Sequence, residues 1–186
     1  MRKYKLHTNY KQILADTITP VSVYLKIRDK FPNSILLESS DYHANDNSFS
    51  YICFNPIASI KVENQKIETN FPDGFSEIIP IDADVNVAKE IENFSNQFQT
   101  EKSDFKFIAQ GLFGYIGYDA IQYFEKVSIA EKSLENKIPE IYYAVYQNII
   151  AINHFKNEAY LFCHSFDESN NIAEIEHLLQ AKNFAS

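Results

Sequence analysis

Apolar positions along the chain recur with two periods, and the switches between them divide it into elements. Val87, Ala88, Ile91, Phe94 and Phe98 share one face of a 3.6-residue helix, as do Ile172, Ile175, Leu178 and Leu179 near the C-terminus. A third helix opens at Thr19-Pro20, where threonine suits the N-cap and proline the first helical position. Val21, Tyr24, Leu25 and Arg28 recur in it at helical spacing, and Phe31-Pro32-Asn33 ends it. The remaining apolar runs read as strands. Residues 2–15 predict a short strand and a turn, Ser34–Ser39 a buried strand with a polar end, and Phe49–Phe54 a strand stopped by Asn55-Pro56. Between the last two, Asp41–Asn47 is rich in turn-forming residues. Residues 57–69 predict a hairpin turning near Glu63-Asn64-Gln65, followed by a loop at Phe71-Pro72-Asp73-Gly74. A strand near 106–116, a helix near 119–124 and a polar connection over 128–139 come next. Ile141–Asn153 and Glu158–Ser165 then form a long hairpin around Phe155-Lys156-Asn157. Hairpin-linked strands with helices inserted singly predict an α+β fold of mainly antiparallel, sandwich-like sheets. With no internal repeat or low-complexity linker, residues 1–186 read as a single domain.

One stretch interrupts this alternation. Gly111, Gly114 and Gly117 are three of only four glycines in the chain and fall within seven residues. Glycine weakens an element by roughly 0.5–1 kcal/mol relative to alanine, so such a cluster needs either left-handed backbone or a neighbour too close for a Cβ. The spacing G-x-x-G-x-x-G, without a following Gly-Lys-Ser/Thr, fails both nucleotide-binding fingerprints. A close-packed strand running into a short helix is the better reading.

Composition narrows the functional classes. Apolar residues at 45% are an ordinary globular share, and 15% aromatics favour pleated, half-buried surfaces. The net charge of −8 comes without a basic stripe, which argues against nucleic acid. No long apolar run or basic amphipathic anchor points to a membrane, and the first dozen residues lack the apolar core of a signal peptide. Cys53 and Cys163 are isolated and read as buried free thiols of a cytoplasmic protein. Cys163 and His164 are neighbours on a strand, so they face opposite ways, with the cysteine expected in the core and the histidine at the surface. His7, His43, His154, His164 and His177 show no zinc spacing, and no G-x-S-x-G elbow is present. No catalytic, metal or cofactor-binding residue is therefore assigned. On residue type alone, Glu38 and Ser39 end a strand and cap a turn.

Five segments carry a sharper signal: Thr19–Leu25 (TPVSVYL), Leu36–Ser39 (LLES), Ser50–Pro56 (SYICFNP), Gly111–Glu125 (GLFGYIGYDAIQYFE) and Asn153-His154. In this order they resemble the N-terminal region of anthranilate synthase component I and, more broadly, the chorismate-utilising enzymes, over roughly residues 5–165. The resemblance implies a C-terminal chorismate-binding catalytic domain that uses Mg²⁺ and is absent from this chain. It also implies a glutamine amidotransferase partner, component II, that supplies ammonia. The N-terminal domain would then do no chemistry itself and would help bind L-tryptophan as a feedback inhibitor. The L-L-E-S motif lines that pocket in the family, which carries over to Leu37, Glu38 and Ser39. Two positions depart from the pattern: Ser48-Phe49-Ser50 stands where many relatives have Arg-Tyr-Ser, and Gln122 where they have arginine. The sister domain of aminodeoxychorismate synthase component I is the nearest alternative, and a free-standing small-molecule-binding or docking domain is the other. A domain separated from its partner leaves apolar area uncovered, so homo-oligomers are expected in solution.

Overall fold

The computed structural model describes residues 2–38, 48–127, 129 and 138–181. The turn expected over Asp41–Asn47 and most of the 128–139 connection lie outside the described residues.

In chain order the elements are β1 (Tyr4–Leu14), α1 (Pro20–Arg28), β2 (Ile35–Glu38), β3 (Phe49–Glu63), β4 (Lys66–Asn70) and β5 (Ser76–Pro80). They continue with α2 (Val87–Ser95), β6 (Phe98–Thr100), β7 (Phe113–Ile116), a 3₁₀ helix (Tyr118–Tyr123), β8 (Ile141–Asn153), β9 (Glu158–Ser165) and α3 (Ile172–Gln180). The hydrogen-bonded strand order is β5-β4-β3-β8-β9-β1-β6, with β2 also on β3 and β7 also on β8. The β1–β9, β2–β3, β3–β4, β4–β5, β7–β8 and β8–β9 ladders are all antiparallel, which makes the fold the α+β type expected. Among the described residues, no helix is long and apolar enough to cross a membrane.

Local chemistry explains most boundaries. Thr19 caps α1 reciprocally with Ser22: the Ser22 N–H donates to Thr19 Oγ1 and the Thr19 N–H to Ser22 Oγ, each at 3.1 Å. Asn64 (φ 52°) and Gln65 (φ 57°) both take left-handed backbone, the geometry a two-residue hairpin turn requires, and pair Glu63 with Lys66. The β8–β9 hairpin has the expected limits. Its turn is closed by Asn153 Oδ1, which accepts from the Phe155 and Lys156 N–H groups.

Several expectations are corrected. Residues 4–14 form one continuous strand rather than a strand and a turn. β3 does not stop at Asn55-Pro56; it runs on for seven residues, because Asn55 adopts φ 58°, a conformation asparagine tolerates. Pro56 breaks no bond in the β2 ladder, which ends at Cys53, or in the β4 ladder, which begins at Ser59. In α1 the buried face is Pro20, Val23 and Ile27, while Val21 and Leu25 remain 50% and 40% exposed. Both sets have helical spacing, and packing against the sheet selected the other one. β5 was not foreseen, since its side chains are mostly exposed and show no alternation. Of the strand expected over 106–116, only Phe113–Ile116 forms, and the helix after it is 3₁₀.

The chain divides into two compact units, and β3 and β8 contribute to both. The first holds residues 1–3, 57–98 and 112–145. Its interior includes Phe71, Phe94 and Phe98, with ring centroids 5.1–6.4 Å apart. Gly114 and Gly117 lie here, while Gly111 belongs to the second unit. A Cβ on Gly114 would overlap the backbone carbonyl of Tyr142 on β8, and one on Gly117 would meet the Glu140 carbonyl oxygen at 3.3 Å. Gly111 has φ 130°, in the range that favours glycine. Two of the three glycines thus serve close backbone packing, as the sequence reading held.

The second unit holds residues 4–56, 99–111 and 146–186. On one side of its sheet, α1 and α3 pack Val23, Ile27, Ile172, Ile175 and Leu179 over Ile52, Phe54, Ile150, Leu161 and Cys163. Lys26 Nζ reaches the last carbonyls of α3, donating to Leu179 O at 2.6 Å and Ala181 O at 2.9 Å. The alternate residues of β9, Tyr160, Phe162 and His164, point the other way. They are met by Phe105 and Phe107 of the strap formed by residues 99–111, at centroid distances of 5.0–6.2 Å from Tyr160 and Phe162. His164 is consequently buried rather than at the surface. The two-faced strand was read correctly, but its second face is covered by side chains from residues 101–111, which form no helix or strand.

Candidate functional site

The motif end Leu37-Glu38 lies on the outer strand β2, where Leu37 is opposite Tyr51 and Glu38 opposite Ser50 in the β3 register. Directly opposed residues in an antiparallel pair put their Cβ atoms about 4.5–5.5 Å apart on the same face. Leu37 is half-buried and Glu38 exposed. Ser39, the third residue expected in the site, lies outside the described residues.

The surroundings of this strand end come from three other segments. Phe49 stacks on Phe107 of the strap at 4.5 Å and on Tyr51 at 6.2 Å. Burial raises the Tyr51 phenol above its ordinary pKa, opposed by a hydrogen bond with the Ile108 backbone. Ser50 is fully buried, and its Oγ lies 2.7 Å from His154 Nε2, just past the end of β8. The His154 backbone N–H donates to the Ser48 carbonyl at 3.1 Å. Three segments singled out in the sequence, Leu36–Ser39, Ser50–Pro56 and Asn153-His154, therefore meet at one place. The role of Phe107 was not legible: it is far away in the chain, and nothing in its local pattern marks it.

Chemically this is a binding corner. The exposed Glu38 carboxylate, suited to an ammonium group, shares one face of the ladder with Ser50, and half-buried Leu37 and Tyr51 share the opposite face. The Ser50 hydroxyl is enclosed and occupied by His154, which leaves it no path to an external reacting carbon. Among the described residues, no group of three or more histidine, cysteine or acidic side chains is arranged to hold a metal ion. Gln122, the other departure, sits on the 3₁₀ helix of the first unit, where its Oε1 accepts from Gln65 Nε2 and its Nε2 donates to the Asp119 carbonyl.

A buried histidine lies on the strap side of β9. His164 Nε2 is 3.1 Å from the Ala109 carbonyl, which can only accept, so Nε2 carries the proton and Nδ1 accepts from Thr8 Oγ1 at 2.9 Å. Burial holds its pKa down to about 4. It is a neutral clamp fastening the strap to β1 and β9.

Comparison with known proteins places the chain. A family model described as chorismate binding enzyme matches residues 33–185, and the chain belongs to that family. Within it, the chain is similar to anthranilate synthase component 1 of Lactococcus lactis subsp. lactis (strain IL1403), with 32% identity over 156 residues, covering 82% of this chain and 31% of that protein. It is also 25% identical over 161 residues to anthranilate synthase component 1 of Acinetobacter calcoaceticus, covering 84% of this chain and 32% of that one. A crystal structure of anthranilate synthase component I from Streptococcus pneumoniae TIGR4 matches 92% of this chain and 35% of its own, at 21% identity and a TM-score of 0.49. The chain thus spans about a third of the length of the curated relatives it matches.

Proposed function

We propose that this chain is the N-terminal, tryptophan-sensing regulatory region of an anthranilate synthase component 1. The similarity to the Lactococcus lactis protein over most of this chain carries the reading. In it, Leu37, Glu38 and Ser39 form part of the inhibitor site, and the Glu38 carboxylate takes the ammonium of L-tryptophan. Conversion of chorismate and ammonia to anthranilate, with its Mg²⁺, belongs to a separate chorismate-binding domain of the same polypeptide, and a cytoplasmic glutamine amidotransferase subunit delivers the ammonia.

Two outcomes follow. The 186-residue chain, incubated with chorismate, Mg²⁺ and an ammonium salt, produces no anthranilate fluorescence above background; turnover would place chemistry in this region. In the complete component 1 polypeptide, Ser39→Phe raises the tryptophan concentration for half-inhibition about tenfold to a hundredfold, the equivalent of roughly 1–3 kcal/mol for a lost hydrogen bond with its group left unsatisfied. Equal inhibition of wild type and variant would remove Ser39 from the site.

A further inference from the structure

The observation with the most reach is the grip of His154 on the start of β3. Its ring nitrogen Nε2 is 2.7 Å from Ser50 Oγ, and its backbone N–H donates to the Ser48 carbonyl at 3.1 Å. Side chain and backbone of one residue thus hold two alternate positions of the same strand end. The residue before it, Asn153, is itself fixed: it is 4% exposed and closes the β8–β9 turn by accepting from two successive backbone N–H groups. His154 is the first residue of the turn that Asn153 closes.

Ser50 passes this constraint onward. It is directly opposite Glu38 in the β2–β3 ladder, and its side chain is completely enclosed. β2 is only four residues long and has β3 as its ladder partner. Its last residue can be no better placed than the residue facing it. A buried hydroxyl that loses its partner must either stay unsatisfied or move, and movement of Ser50 shifts the base on which Glu38 rests. Supporting groups one step behind a binding side chain act in this way, through orientation and not through contact with ligand.

We propose that His154 is a positioning residue for the amino-acid site at the end of β2, acting through the Ser50 hydroxyl on Glu38. The proposal rests on the tryptophan-sensing reading and adds to it a pair of residues that do not touch the ligand. The bond itself is the active element, so the two partners form a unit: losing either removes the same support, and losing both removes nothing more.

Equilibrium dialysis of labelled tryptophan against the complete component 1 polypeptide tests this. His154→Ala and Ser50→Ala should each weaken binding about tenfold, and the double variant should be no weaker than either single one. His154→Gln, whose amide can still bond the Ser50 oxygen, should stay within about threefold of wild type. A merely structural loss would add in the double variant and would not be rescued by glutamine. If His154→Ala does not fold, Ser50→Ala, which deletes one oxygen from the same bond, carries the comparison with His154→Gln. Full-strength binding by Ser50→Ala, or additive losses, would overturn the proposal while leaving the site assignment standing if Ser39→Phe still weakens binding. No tryptophan binding by the wild type would instead overturn the site assignment, and the role of His154 with it.

Discussion

Gly114→Ala should lower the stability of the fold by about 3 kcal/mol, the upper part of the range for forcing extra volume into a packed interior. The cause is backbone against backbone. β7 runs so close to β8 that the added Cβ would occupy the space of the Tyr142 carbonyl, with the Tyr142 carbonyl carbon and Tyr143 Cα each only 2.8 Å away. No rotamer change relieves such an overlap; one strand must move, and the Phe113–Ala144 to Ile116–Ile141 register moves with it. For a chain of this length the loss corresponds to a midpoint about 6–12 °C lower in thermal unfolding. Gly117→Ala provides the contrast. Its Cβ would meet a single carbonyl oxygen at 3.3 Å, and the backbone there (φ −74°) is open to any residue, so a much smaller shift is expected. Equal midpoints for Gly114→Ala and wild type would show that the two strands do not pack as described.

The second large effect is a loss of stability in acid that traces to His164. Its folded pKa of about 4 lies below the ordinary value of 6.5 because burial disfavours the charged ring. Between these two values the unfolded chain binds a proton that the folded chain refuses, so folding stability rises with pH across the window. The contribution is fully present above pH 6.5, falls as the pH drops, and is exhausted below about 4. At about 1.4 kcal/mol per unit, the full swing is on the order of 3 kcal/mol. The informative quantity is the difference from a chain that lacks this imidazole. Denaturant unfolding of wild type and His164→Gln, measured from pH 4 to 7, should give a flatter curve for the variant. Parallel curves would mean that the imidazole is not a buried neutral clamp. The strap should respond with it: acid should speed hydrogen exchange over 99–111 before the rest of the second unit, because Ala109 and Thr8 both bond this ring.

Local chemistry already determined much of this protein. Thr19-Pro20 starts α1, Asn64-Gln65 turns the β3–β4 hairpin, and the limits of β8 and β9 follow from period and turn residues, because each of these depends on neighbours within a few positions. The crowding of Gly111, Gly114 and Gly117 signalled a close approach of backbone, although not that Tyr142 and Glu140 would be the neighbours. Where two solutions were locally equivalent, only tertiary packing chose. α1 could bury Val21 and Leu25 or Val23 and Ile27, and the sheet beneath it selected the latter. Asn55-Pro56 could stop a strand, yet β3 continues, with Pro56 falling between its β2 and β4 ladders. His164 could face water until the strap 99–111, carrying Phe105 and Phe107, covered that side of β9. The corner formed by Glu38, Ser50 and His154 likewise joins residues more than a hundred positions apart. Chain order carries no record of such a distance, since it is the register between strands, and not the order of residues, that sets which side chains meet.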